Sequence, residues 1–206
     1  MIKSQSLAIK RAIEKFKEKK GILHTAEAIR LGIHSTVLYK MRDEGIIEPL
    51  ARGVYRLTDL PALDNQDLVT VATAIPQGVI CLISALSFHG LTSQIPRQID
   101  IACKRGSMRP ALKYPPIRIF WFSLDSFEHG IEQHEMDGAL IRVYSAEKTL
   151  ADCFKYRKRI GMDVFVEALK TFWAERKGSI DKLMEYAAIC RVSKLIRPYI
   201  ESVIHD

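Results

Sequence analysis

"LGIHSTVLYKMRDEG", Leu31 to Gly45, is the stretch on which the fold turns. Gly32 and Ile33 make a tight corner, His34 or Ser35 opens a short helix, and Gly45 closes it. Val37 or Leu38, together with Met41, gives that helix an apolar face, while Ser35, Thr36, Tyr39 and Lys40 share the opposite one. A helix that did nothing but pack would have little use for hydroxyls and a cation over half its surface. Just before it, "TAEAIRLG" begins with Thr25 as an N-cap and aligns Ala26 and Ile29 before Gly32 breaks the pattern. Further upstream, "SLAIKRAIEKFKEKK" sets Ile9, Ala12, Ile13 and Phe16 at helical spacing, with lysines on the other face and Gly21 as the stop. Downstream, "IIEPLARGVYRL" reads as two short strands, Ile46 to Glu48 and Val54 to Leu57, joined by a turn around Ala51-Arg52-Gly53. A helix-turn-helix followed by a hairpin, or wing, is the result.

Charge supports a polyanionic partner for this segment. The 206-residue chain has a formal charge of +7. Met1 to Leu60 holds twelve Lys/Arg against seven Asp/Glu, so +5 of the total sits in the first 60 residues and +2 in the rest. Positive potential concentrated in this way draws in nucleic acid. A helix-turn-helix reads duplex DNA by laying its second helix in the major groove, which requires a polar face near that helix's start. Ser35, Thr36, Tyr39 and Lys40 are therefore the candidate DNA contacts. Arg42, at the margin of that face, is a candidate phosphate contact, and Arg52, at the hairpin tip, suits the neighbouring minor groove. The plain alternative is a protein-interaction module whose polar helix face is simply solvated.

After Leu60 the texture changes. "LPALDNQD" carries a proline and several turn formers and marks the expected boundary between domains 1–60 and 61–206. "DLVTVATAI" and "SALSFHGL" look helical, whereas "GVICLI", "QIDIACK", "IRIFWFS" and "ALIRVYS" look like strands from their β-branched and aromatic content. From Ser145 onward, apolar residues at three-and-four spacing, punctuated by Gly161, Gly178 and Pro198, predict a run of helices. The fold class expected is α+β: a winged helix-turn-helix, then an α+β domain ending in several helices.

The segment Gly21 to Leu57 resembles the N-terminal winged-helix domain of AbiEi-family antitoxins of type IV toxin–antitoxin systems, most clearly in "LARGVYRL". "SALSFHGL" and "RVYSAEKTLADCFKYR" are similar to that family's second domain, so the resemblance spans nearly the whole chain. It implies a protein of phage abortive infection, encoded beside an AbiEii-like nucleotidyltransferase toxin. The winged helix would repress the operon by binding inverted repeats in its promoter, and the C-terminal domain would antagonise the toxin, without necessarily forming a stable complex with it. The alternative from another class is a ligand-responsive winged-helix regulator whose second domain binds an effector or dimerises.

Two further clusters carry candidate contacts. In "SAEKTLADCFKYRKR", Ser145 can cap a helix on which Lys148 and Asp152 stand four apart, with Arg157 beyond. The plain reading is an exposed intrahelical pair worth about 0.2–0.5 kcal/mol, and the sharper one a polar cluster used in antitoxin action. "CKRGSMRP" gathers Lys104, Arg105 and Arg109 around a glycine as a possible second anion-binding loop.

Catalytic signatures are lacking. The sequence has no G-x-x-x-x-G-K-[ST], G-x-G-x-x-G or H-E-x-x-H motif. A nuclease site built on Asp100 and Lys104 would need a second acid where Ala102 stands. No catalytic residue, metal site or cofactor is expected. Cys81, Cys103, Cys153 and Cys190 are dispersed, which argues for reduced thiols rather than zinc or disulfides. With no apolar run long enough to span a membrane, a cytoplasmic protein is expected.

Overall fold

The computed structural model describes residues 2–61, 63 and 65–205. Ala62 and Asp64, within the expected boundary segment "LPALDNQD", lie outside the described residues. The chain divides into two compact units, Met1–Pro76 with Glu135–Ile141, and Gln77–His134 with Arg142–Asp206.

The first unit opens with α1 (Ile2–Glu18), β1 (Ile22–His24), α2 (Thr25–Arg30) and α3 (Ser35–Asp43), followed by β2 (Ile47–Ala51), β3 (Val54–Leu57) and α4 (Gln66–Ala74). Ala12 and Phe16 on α1 are buried as the periodicity predicts, and they meet Leu38 and Met41 of α3 in one cluster. Leu23, Ala28, Ile47 and Leu57 complete it. The strands form an antiparallel sheet in the order β1-β3-β2. β1 is absent from the sequence reading because three residues are too few to show an alternation. It pairs Ile22 with Arg56 and His24 with Val54 along β3.

The second helix departs from expectation. His24, not Thr25, occupies the N-cap position, and it makes no side-chain cap. Thr25 is instead drawn to the wing, where its amide and hydroxyl both donate to the Gly53 carbonyl, at 2.8 and 3.2 Å. Ala28 is the buried residue of α2, whereas Ala26 is exposed and Ile29 is 52% exposed. Two turns are too short for apolar spacing to identify the inward face.

The second unit contains β4 (Val79–Ile80), α5 (Leu82–Phe88), β5 (Ile99–Lys104), β6 (Ile117–Phe122) and α6 (Leu124–Glu128), and takes part in β7 (Ile131–Met136) and β8 (Ala139–Tyr144). The sheet order is β6-β5-β4-β8-β7, with β4 antiparallel to β5 and parallel to β8, and β5 parallel to β6. "GVICLI" is a strand only at its start, since Cys81 becomes the N-cap of α5 and Leu82 already belongs to the helix. β7, "IEQHEM", was not legible because its composition is polar, as suits the end strand of a sheet.

Among the described residues five helices follow: α7 (Ala146–Lys155), α8 (Arg157–Ile160), α9 (Met162–Ala174), α10 (Ile180–Ile189) and α11 (Ser193–His205). Gly161 and Gly178 separate helices as predicted, but Pro198 lies inside α11, which continues through it while burying Ile196 and Ile200. The architecture is α+β, with an N-terminal winged helix-turn-helix and a sheet followed by helices.

The core of the second unit contains an ion pair. Ser145 caps α7 by accepting from the Lys148 amide at 3.2 Å, as the sequence suggests. The Lys148–Asp152 pair forms too, with Nζ 2.5 Å from Oδ2, but neither side chain has exposed surface. The expected solvated pair is therefore a buried one, because α7 is enclosed on nearly every side. Lys148 Nζ lies 4.3 Å from the Tyr144 ring centroid and 5.0 Å from that of Phe122. The Cys190 thiol donates to Asp152 Oδ1 at 3.1 Å. Gly130, at φ +74°, lets the chain pass against the Lys148 stem, since a Cβ there would come within 2.7 Å of Lys148 Cβ. Removing one partner leaves a lone buried charge. Lys148→Met or Asp152→Ala alone is expected to destabilise the protein by about 3–5 kcal/mol, and Lys148→Met with Asp152→Leu by clearly less, as read from urea unfolding midpoints.

Candidate nucleic-acid interface

The outward face of α3 follows from its inward one. With Leu38 and Met41 sealed in the core, the helical period turns residues 35, 36, 39 and 40 away from it. Thr36 and Tyr39 are exposed, and Ser35 and Lys40 are half-buried. His34 provides the extended N-cap backbone, and its Nδ1 lies 3.0 Å from the Thr36 hydroxyl. His34 thus both opens the helix and holds one of the candidate contacts. The His-x-Thr spacing at the head of the helix was the available signal.

The cations of α3 are partly offset by neighbouring acids. Lys40 Nζ is 3.6 Å from Glu44 Oε1. Arg42 donates from Nε and Nη2 to Asp43 Oδ1 at 2.9 and 2.7 Å, and its guanidinium lies 5.2 Å from the Tyr39 ring centroid. The Asp43 hydrogen bond and charge push the Arg42 guanidinium pKa further up. Both pairs are exposed, so water and salt screen them and a phosphate can compete for either cation.

Arg52 occupies the tip between Ala51 and Val54, exposed, with no hydrogen-bond or ion-pair partner among the described residues. Gly53 beside it adopts φ +74°. Behind the tip, Arg56 is buried, donating to Glu48 Oε1 at 3.0 Å and to the Pro61 carbonyl. Arg56 counts toward the basic total of the segment but is committed to holding the wing. Lys15 of α1 is similarly occupied, since it donates to the Leu31 carbonyl at the end of α2. Beside it, a cavity of about 250 Å³ is lined by Arg11, Lys15, Gly32 and His34.

The candidates in the second unit fall into different environments. Lys104 ends β5 and Arg105 and Arg109 lie in the loop after it, all three exposed, and the Ser107 amide donates to the Lys104 carbonyl at 3.1 Å. Lys148 and Asp152 have no surface with which to touch a partner. Arg157 is half-buried, bonded through Nη1 to the Phe154 carbonyl at 2.8 Å, with its guanidinium 4.3 Å from the Phe154 ring centroid. Asp100, considered as a metal ligand, is 1% exposed and held by Arg118 through Nε and Nη2 at 2.7 and 2.8 Å. Burial pushes its carboxyl up in pKa, and Arg118 opposes that shift. Among the described residues no three His, Cys, Asp or Glu side chains converge as a metal site would need. No helix among them is long and apolar enough to cross a membrane. The four cysteines are free and buried.

Gly53 gives the wing a direct stability readout. An L-residue at its positive φ costs about 1–2 kcal/mol, so Gly53→Ala is expected to lower the unfolding free energy by that amount, measured by urea denaturation.

Comparison with curated proteins gives no match for the chain. Residues 10–58 match the family model described as "Transcriptional regulator, AbiEi antitoxin". That span runs from within α1 to the end of the wing and contains the whole helix-turn-helix. Residues 10–58 of this chain, its winged helix, are thus similar to the AbiEi antitoxin transcriptional regulators.

Proposed function

We propose that the protein is a type IV antitoxin and transcriptional autorepressor, with residues 1–60 binding DNA and residues 61–206 antagonising a nucleotidyltransferase toxin. The match of residues 10–58 to the AbiEi regulator family carries this reading. The geometry supports it: α3 turns Thr36 and Tyr39 to solvent, and the wing ends on an exposed arginine.

In this mechanism α3 enters the major groove with Ser35, Thr36, Tyr39 and Lys40 toward bases and phosphates, while Arg42 takes a phosphate at the groove's edge. Arg52 reaches the adjacent minor groove. Glu44 and Asp43 give up Lys40 and Arg42 on binding, so part of the electrostatic gain goes into breaking those two pairs. Inverted repeats in the promoter place two copies on one DNA, and occupancy excludes polymerase. Loss of toxin restraint and loss of repression are then separable defects in the two domains.

A gel shift on the operon's own promoter at stated salt tests the first half. Lys40→Ala and Arg52→Ala are each expected to weaken binding by about 1–3 kcal/mol, and loss of a phosphate contact flattens the salt dependence by about one unit of slope. Asp43→Ala, which releases Arg42, is expected to tighten binding. Unchanged affinity in all three variants overturns the contact assignment. Co-expression of the full chain with the adjacent nucleotidyltransferase tests the second half: restored growth is expected, and persistent toxicity with soluble antitoxin rejects it.

A further inference from the structure

β6 lies at one end of the five-stranded sheet, with β5 on one side and, among the described residues, no strand on the other. The Pro116 carbonyl accepts from the Ile99 amide at 2.9 Å, and the Phe122 carbonyl from the Arg105 amide at 2.8 Å. Backbone groups alternate sides along a parallel pair, so Arg118, Phe120 and Phe122 turn their amides and carbonyls toward β5. Ile117, Ile119 and Trp121 therefore turn theirs outward, as an open template for another strand.

The side chains around this edge are of two kinds. Ile117, Ile119 and Trp121 are half-buried and leave apolar surface on one face. On the other face the guanidinium groups of Arg118 and Arg159 lie 5.1 and 4.5 Å from the Phe120 ring centroid. Arg159 is exposed and makes no ion pair among the described residues, although its charge acts on buried Asp100, whereas Arg118 is paired directly with Asp100. The surrounding sequence has one sign: residues 101–124 contain five Lys/Arg and no Asp/Glu, and residues 153–162 contain four and none.

We propose that the outer edge of β6 is a docking site for an extended acidic segment of a partner protein, which joins the sheet as an added strand. Its backbone pairs with Ile117, Ile119 and Trp121, its carboxylates meet Arg118 and Arg159 on one face, and its alternate apolar side chains cover the isoleucines and Trp121 on the other. A nucleic acid fits this edge poorly. It has no peptide groups to satisfy the outward amides and carbonyls, and no alternation of apolar and acidic groups to match the two faces. The inference does not depend on DNA binding by α3.

Trp121 and Trp173 are the two tryptophans, so full-length protein carrying Trp173→Phe reports on the edge through Trp121 emission alone. A peptide of about ten residues alternating Glu and Val is expected to shift that emission and to slow amide exchange at residues 117, 119 and 121 about tenfold at saturation. A Lys-Val peptide of equal length is expected to do neither. Arg159→Glu, at an exposed position, is expected to weaken binding of the acidic peptide about tenfold. The proposal is overturned if the acidic peptide gives no protection, if the basic peptide protects equally, or if Arg159→Glu leaves binding unchanged. Protection of these amides by duplex DNA instead of by the peptide also overturns it.

Discussion

The packing of Leu38 and Met41 against Phe16 and Ala12 is the constraint on which the N-terminal unit depends. A nine-residue helix has too few backbone hydrogen bonds to hold itself in water, so the orientation of α3 is fixed by what it buries. Once those two side chains are sealed under α1 and the wing sheet, the hydroxyl and cationic side chains have only the opposite face to occupy. The wing is placed by the same logic. Leu57 enters the cluster from β3, and the Gly53 carbonyl accepts two bonds from Thr25, so the hairpin tip is tied to the start of α2. The candidate contacts on α3 and on the wing are thus framed by one small apolar core.

The second unit meets a different demand. Its helices close around Lys148 and Asp152, two ionisable side chains with no access to water. Burial drives the Asp152 carboxyl pKa upward, Lys148 draws it back, and the Cys190 thiol satisfies the second carboxylate oxygen. The rings of Tyr144 and Phe122 receive the ammonium on their faces. A pair of this kind adds little net stability over apolar residues of the same volume, but it penalises any packing of α7 that parts the two groups. Glu147 extends the arrangement by accepting from the Ser179 amide at the head of α10. The stretch that stands out most in the second half of the sequence is therefore an organiser of the helical core, whereas Lys104, Arg105, Arg109 and Arg159 are exposed cations.

What the sequence alone determined is the local pattern: amphipathic spacing in α1 and α3, the corner at Gly32, the hairpin about Arg52-Gly53, and most of the strands and helices that follow. These are legible because each depends on side chains within one or two turns of each other, or on a glycine at a positive φ. The exposed candidate contacts on α3 and the wing belong to the same class, since the buried face of α3 fixes the outer one. Only tertiary structure decided β1, which exists because β3 offers it a partner, and the inward side of α2, where Ala28 is taken up by the core and Ile29 is not. It alone turned Lys148 and Asp152 from a solvated pair into a buried one and gave Asp100 to Arg118. Burial and long-range pairing are properties of segments far apart in the chain, and no window of neighbouring residues contains them.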